Sequence, residues 1–162
     1  MLMKGETQAV HLAKIMQKHK LYPEYELALP FVKIKRTMLK KLSHGDVLLL
    51  GLDHLELILL SEGKICANVV INEAHNSLKI KIVSIEEDPI ETNDSKKYEI
   101  LKCSFGMLQS RKLEIGHKID IAQLNLEETK LFIKDKNIAV GMLVKVDDEI
   151  AIKIKEVNKN EK

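Results

Sequence analysis

The chain has 162 residues, 26 basic and 24 acidic side chains for a net charge of +2, and 45% hydrophobic residues. That is enough apolar material for one compact domain or two small ones, which excludes a largely disordered protein. Apolar runs are broken by Asp53 and Glu56 long before the ~20 residues of a membrane-spanning helix, so direct membrane insertion is not expected. The opening Met-Leu-Met-Lys-Gly-Glu-Thr-Gln has no apolar stretch behind a basic start, and Cys66 and Cys103 lack paired spacing. A cytoplasmic protein with both thiols reduced and half-buried is the expectation.

In chain order, residues 1–28 read as an N-terminal helical segment. Thr7 is able to cap a short α-helix over 7–20, with Ala9, Leu12, Ala13 and Met16 on one stripe, ended by Pro23. The stripe is narrow, and two readings stay open for it: packing on the body or docking on a partner. From Leu29 the period changes to that of strands. Phe31-Val32-Lys33-Ile34-Lys35 alternates, residues 37–42 have room for a helical turn, and strands follow at 47–52, 55–60, 65–71 and 78–85. A polar, proline-containing stretch at 86–97 reads as a linker. Beyond it, 98–105 leads to Gly106, and strands resume at 118–121, 131–133, 138–146 and 149–156. Asp147-Asp148 supplies a hairpin turn, and 158–162 form a polar tail.

Chemistry-bearing groups are sparse. The six histidines give no His-x-x-x-His pair and no Cys/His cluster of zinc spacing, and no glycine-rich loop is suited to nucleotide phosphates. An enzyme would require His44, Asp46, Asp53 or His54 to converge in a cleft, so the sequence predicts no catalytic residues, no metal and no cofactor. Lys33, Lys35, Arg36, Lys40 and Lys41 form the densest basic stretch and support the alternative of a tandem β-barrel nucleic-acid binder. With three Phe, three Tyr and no Trp, however, stacking material is scarce and nucleic acid is not the expected partner. Residues 1–85 carry 12 basic and 8 acidic side chains and residues 86–162 carry 14 and 16, a mild complementarity of +4 against −2.

The chain reads as one module written twice. Gly45 answers to Gly116, Ile65 to Ile138 and Ile80 to Ile152, an offset near 72 residues. Gly45 and Gly116 occupy matching turns, whereas Gly106 and Gly141 sit in strands where a missing side chain permits a bend or a close approach. Asn68 is read as standing in for the second of these in the first copy.

The second copy resembles the SpoA (surface presentation of antigens) domain of FliN and the C-terminus of FliM. The resemblance rests on Cys103-Ser104-Phe105-Gly106, Leu113-Glu114-Ile115-Gly116, Ile138-Ala139-Val140-Gly141 leading into Met142-Leu143-Val144-Lys145-Val146-Asp147, and Ile150-Ala151-Ile152-Lys153-Ile154. The first copy is more divergent, with Arg36 where the family often has glycine. The resemblance implies a mainly β fold of two tandem SpoA-like modules, 29–85 and 98–157, forming an intertwined pseudo-dimer after the N-terminal helix. It implies a non-enzymatic subunit of the cytoplasmic ring (C-ring, motor switch or sorting platform) of a bacterial flagellum or related type III secretion system, at the cytoplasmic face of the inner membrane. Two copies in one chain look more like the SctQ class of injectisome ring protein than single-copy FliN. Implied partners are other SpoA-domain ring proteins, FliM-like or FliN-like, and an export-ATPase regulator of the FliH/SctL kind. Carried over from FliN-like proteins, the regulator's docking patch falls on Met142, Leu143 and Val144, for which a place in the dimer core is the competing reading.

Overall fold

Short runs of Ile, Leu and Val alternating with Lys, Glu and Asn favour strands with one dry face. The computed structural model describes residues 22–74, 77–89 and 97–158. In order, these form β1 (Glu24–Ala28), β2 (Val32–Lys35), a five-residue helix α1 (Arg36–Lys40), β3 (Val47–Leu52), β4 (Leu57–Ser61), β5 (Lys64–Ala74), β6 (Ser77–Pro89), β7 (Tyr98–Gln109), β8 (Lys118–Asp120), β9 (Thr129–Ile133), β10 (Lys136–Val146) and β11 (Glu149–Val157). The expected helix over 7–20 lies outside the described residues.

All eleven strands belong to one antiparallel sheet with the order β3-β11-β10-β9-β7-β1-β4-β5-β6-β8, and β2 is added to β7 off this path. From the central β7/β1 pair outward, the two arms mirror each other. On one side run β7, β9, β10 and β11, capped by β3; on the other run β1, β4, β5 and β6, capped by β8. Each terminal strand therefore comes from the opposite half of the chain.

The registers repeat residue by residue. Leu27 faces Leu59 as Cys103 faces Leu131. Ile71 faces Ile80 as Leu143 faces Ile152, and Leu48 lies on Ile152 as Ile119 lies on Ile80. The turn hydrogen bonds match too: Gly45 N–H donates to the Ile154 carbonyl at 2.8 Å, and Gly116 N–H to the Ile82 carbonyl at 2.7 Å. Their φ angles, +91° and +92°, lie in the left-handed region where a side chain is strained.

Three sequence expectations are corrected. First, β1 lies within the segment assigned to the N-terminal helix. Leu27 and Ala28 are fully buried, so the first strand unit begins at Glu24. Second, β6 continues through Glu86-Glu87-Asp88 to Pro89, into the expected linker, because its backbone stays paired with β5 as far as Lys64 opposite Pro89. A hairpin ladder tolerates polar side chains on its wet face, and proline is admitted at a strand end. Third, the bulge between Asn68 and Val69 matches the one between Val140 and Gly141, so Val69 and not Asn68 holds the place of Gly141. By the same registers Pro30, not Arg36, holds the place of Gly106. Proline has no N–H for the ladder and lies between β1 and β2, whereas Gly106, at φ +120°, lets β7 run on unbroken.

The main core lies on one face of the sheet. Leu48, Leu59, Ile80, Ile82, Leu101, Leu131 and Ile152 are each 0–1% exposed within it. A second small cluster of Ala28, Ile58 and Leu60, with Phe31 and Ile65 against it, is separate. Cys66 is half-buried as expected, but Cys103 is fully buried, and burial pushes its thiol up to about 12. Such a thiol is inert as a nucleophile.

Candidate functional site

Two positive-φ aspartates, Asp147 (φ 50°) and Asp148 (φ 66°), close the β10–β11 hairpin in the type I′ geometry that suits the right-handed twist of its strands. Past Gly141, residues 142–146 of β10 pair, among the described residues, only with β11, because the β9 ladder stops at Gly141 opposite Thr129. This leaves a free strand edge. Residues directly opposite in a ladder share a face, so two rows form on the side away from the core. Met142, Lys153 and Val47 make one, and Val144, Ala151 and Leu49 the other. Val47 is 45% and Leu49 49% exposed, and Met142 and Val144 are half-buried. Leu143 points the other way and packs on the core in line with Ile152 and Leu48.

The alternation thus divides the Met142–Leu143–Val144 triplet: Met142 and Val144 belong to the outer face and Leu143 to the core. Sequence reasoning missed Val47, Leu49 and Ala151, which arrive from the other half of the chain and from the partner strand of the hairpin. A signal for them was present. The segment Val47-Leu48-Leu49 is apolar at every position, whereas its repeat, Lys118-Ile119-Asp120, is apolar only at its centre.

The equivalent face at the other end of the sheet has a different chemistry. There the rows are Val70, Lys81 and Lys118, and Asn72, Lys79 and Asp120. Core positions are apolar at both ends (Ile71, Ile80 and Ile119 against Leu143, Ile152 and Leu48), but four of the six outer positions are charged at one end, whereas at the other five of six are apolar and Lys153 alone is charged. Burial in the core accounts for the first similarity. It gives no reason for the apolar outer face, whose apolar side chains cost solvation wherever they stay wet.

The two central positions are also unlike. Glu26 and Lys102 hold equivalent places in β1 and β7, and Lys102 Nζ lies 2.8 Å from Glu26 Oε1, both side chains about one-fifth exposed. The same ammonium sits 4.8 Å above the centre of the Phe132 ring. Arg36 pairs with Glu99 at 3.2 Å, which ties the start of α1 to β7. Lys33, Lys35, Lys40 and Lys41 are exposed around it on β2 and α1, so the basic stretch is a solvated face with its one guanidinium already engaged.

The residues named for an enzyme do not come together in one hydrogen-bonded group. Asp46 accepts the Ser43 backbone N–H at 2.9 Å and braces the turn before β3. On the loop between β3 and β4, His54 Nδ1 lies 2.6 Å from Asp53 and Nε2 2.6 Å from Glu56, all three well exposed. The hydrogen bond to Asp53, then that to Glu56, raises the His54 pKa, and the Asp53 carboxyl is lowered chiefly by the bond to His54. With both ring nitrogens occupied, this imidazole has no free position for accepting a proton from a substrate. Among the described residues, no group of three or more His, Cys, Asp or Glu is placed to hold a metal ion, and no helix is long and apolar enough to cross a membrane.

No family model matches the chain, and no curated protein matches it. The functional reading therefore stands on the geometry.

Proposed function

We propose that this chain is a structural subunit of the cytoplasmic ring of a bacterial flagellum or related type III secretion system, acting by protein–protein assembly and not by catalysis. In this reading it consists of two SpoA-like modules closed on each other as an intramolecular pseudo-dimer. The observation that carries the reading is the recurrence of the strand pairings at an offset near 72 residues in the outer strands, with each half donating its short strand to the sheet of the other. Two separate modules would each leave unpaired edges where β3 and β8 now sit, and covering such edges favours keeping both copies in one chain. The Glu26–Lys102 pair supports it further. In a dimer of identical modules these places would hold like charges, whereas two diverged copies hold opposite ones. Partners in the ring, FliM-like or FliN-like SpoA proteins and a FliH/SctL-like export-ATPase regulator, would meet the outer face of Met142, Val144, Val47 and Leu49, with the free edge of β10 beside it.

Affinity purification of the tagged chain from its native cells, followed by mass spectrometry after a moderate-salt wash, tests this. Recovery of SpoA-domain ring proteins or the ATPase regulator is expected, with loss of the regulator from a Met142→Asp/Val144→Asp variant. Recovery of nucleic acid alone, or of no ring component, refutes it.

A further inference from the structure

We propose that the groove beside α1 binds a short acidic segment of another protein, seating one apolar side chain of that segment on an aliphatic floor and its carboxylates on Lys40 and Lys136. Pro30 and Gly106 hold equivalent places in the two halves, as do Gly45 and Gly116. Fifteen residues lead from Pro30 to Gly45 but only ten from Gly106 to Gly116. The surplus is five residues, the length of α1, and no described helix stands at the corresponding place in the second half. α1 is anchored at the start of β7, the Arg36 N–H donating to the Lys97 carbonyl at 2.8 Å and the guanidinium lying 3.2 Å from Glu99. There it forms one side of a groove of about 1020 Å³, whose other walls are the β9–β10 turn and the end of β11. The groove is thus an addition to the repeated fold.

Leu39, Leu42, Ile133, Ile138 and Val157 supply its apolar lining, and all but Leu42 are only half-buried. Its charge is unbalanced. Arg36, Lys40, Lys134 and Lys136 line it against two carboxylates, Glu99 and Asp135. With Glu99 beside Arg36, three ammonium groups share Asp135. Lys33, Lys35 and Lys41 flank α1 in the chain and are exposed, which extends the positive surface.

The fold itself does not demand this charge. Ser61 pairs with Lys64 as Ile133 pairs with Lys136, so Glu62 stands where the β9–β10 turn has Lys134. Ala67 pairs with Ile85 as Ala139 pairs with Val157, so Glu86 follows where β11 is followed by Asn158. The same backbone carries carboxylates in one half and, on the groove, a lysine and an asparagine in the other. A surplus of cations around an aliphatic floor selects an anion with an apolar part. Because the cations continue along β2 and α1, carboxylates spaced along a chain match them better than a single anionic group. The lining holds no aromatic ring on which a base could stack, which favours an acidic peptide over nucleic acid. The groove shares no residue with the outer face of Met142, Val144, Val47 and Leu49, so the site does not rest on the ring assignment.

Fluorescence anisotropy of the full chain with labelled probes tests it. The probes are a short polyglutamate peptide with one central leucine, the same peptide with serine in place of leucine, and an oligothymidylate of equal length. The leucine peptide is expected to bind at low salt and to be released as salt rises, and the serine peptide to bind several-fold more weakly. K40E/K136E, folded by circular dichroism, should weaken the leucine peptide roughly tenfold or more, for two exposed cations reversed. R111E/K118E, which reverses two exposed cations outside this groove, should leave it unchanged. A wild-type chain that binds no leucine peptide at low salt overturns the proposal, as does K40E/K136E binding like the wild type or R111E/K118E losing as much. A serine peptide bound as tightly, or an oligothymidylate bound more tightly than the leucine peptide, overturns it too.

Discussion

Gly141→Ala is the sharpest test of how the β10–β11 hairpin is built. A Cβ at this position would stand 2.5 Å from Ile152 Cγ2, 2.5 Å from the Lys153 carbonyl oxygen and 3.2 Å from its carbon. Ordinary carbon contacts are ~3.5–4.0 Å, so the overlap is on the order of 1 Å. Ile152 is fully buried and the carbonyl belongs to the paired strand, so neither neighbour has room to yield. Overpacking of this kind costs typically ~1–3 kcal/mol. Replacing glycine in a strand returns about 0.5–1 kcal/mol of backbone entropy. The net expectation is a loss of about 1–1.5 kcal/mol, which for a chain of this length lowers Tm by about 2–6 °C. Urea unfolding followed by far-ultraviolet circular dichroism measures it, with Gly45→Ala as the contrast. At Gly45 nothing lies within 4 Å, and only the positive φ, at about 1–2 kcal/mol, opposes the change. A Gly141→Ala protein within about 0.5 kcal/mol of the wild type refutes the close approach of β10 and β11 as the reason for glycine here. The corresponding place in the other half is filled by Val69, so the bulge itself does not demand glycine.

Reversing the central pair one side at a time, Glu26→Lys or Lys102→Glu, sets like charges together at a site only about one-fifth exposed and should lower stability by ~1–2 kcal/mol in denaturant unfolding. The double reversal should recover most of that loss, and an additive double variant counts against a direct pair. Leu143→Ala is expected to cost about 2 kcal/mol through its core contacts. Met142→Asp and Val144→Asp, at half-buried strand positions of the outer face where Asp is disfavoured, should each cost about 1 kcal/mol, and a stability loss equal to that of Leu143→Ala contradicts the division of the triplet. His54 should titrate by NMR above the ordinary 6.5, returning toward it in Asp53→Asn and Glu56→Gln. Since its folded pKa is raised, any stability it lends is full below the ordinary value and disappears as pH climbs through the folded one. A His54 titration at or below 6.5 refutes the two-sided hydrogen bonding.

Much of the strand content was legible in the sequence by itself. Period-two alternation located nearly every strand after Leu29, Gly45 and Gly116 marked turns whose hydrogen bonds and φ angles agree, and Asp147-Asp148 marked the hairpin. These are local consequences of side-chain pattern and backbone sterics, which short stretches carry in full. The β1 strand and the extension of β6 to Pro89 were not legible, because their backbone is held by ladder partners and their own composition is polar or mixed. Which strands pair is decided only in three dimensions. The pattern of 47–49 is compatible with any neighbour, and its place beside Ala151 and Lys153, from the other half of the chain, is what assembles an apolar face from Val47, Leu49, Met142 and Val144. Alternation determined that Leu143 and its two neighbours face opposite ways; tertiary pairing decided which way is inside, since only the stacked core of Leu48, Ile152 and Leu143 distinguishes the two faces of the sheet.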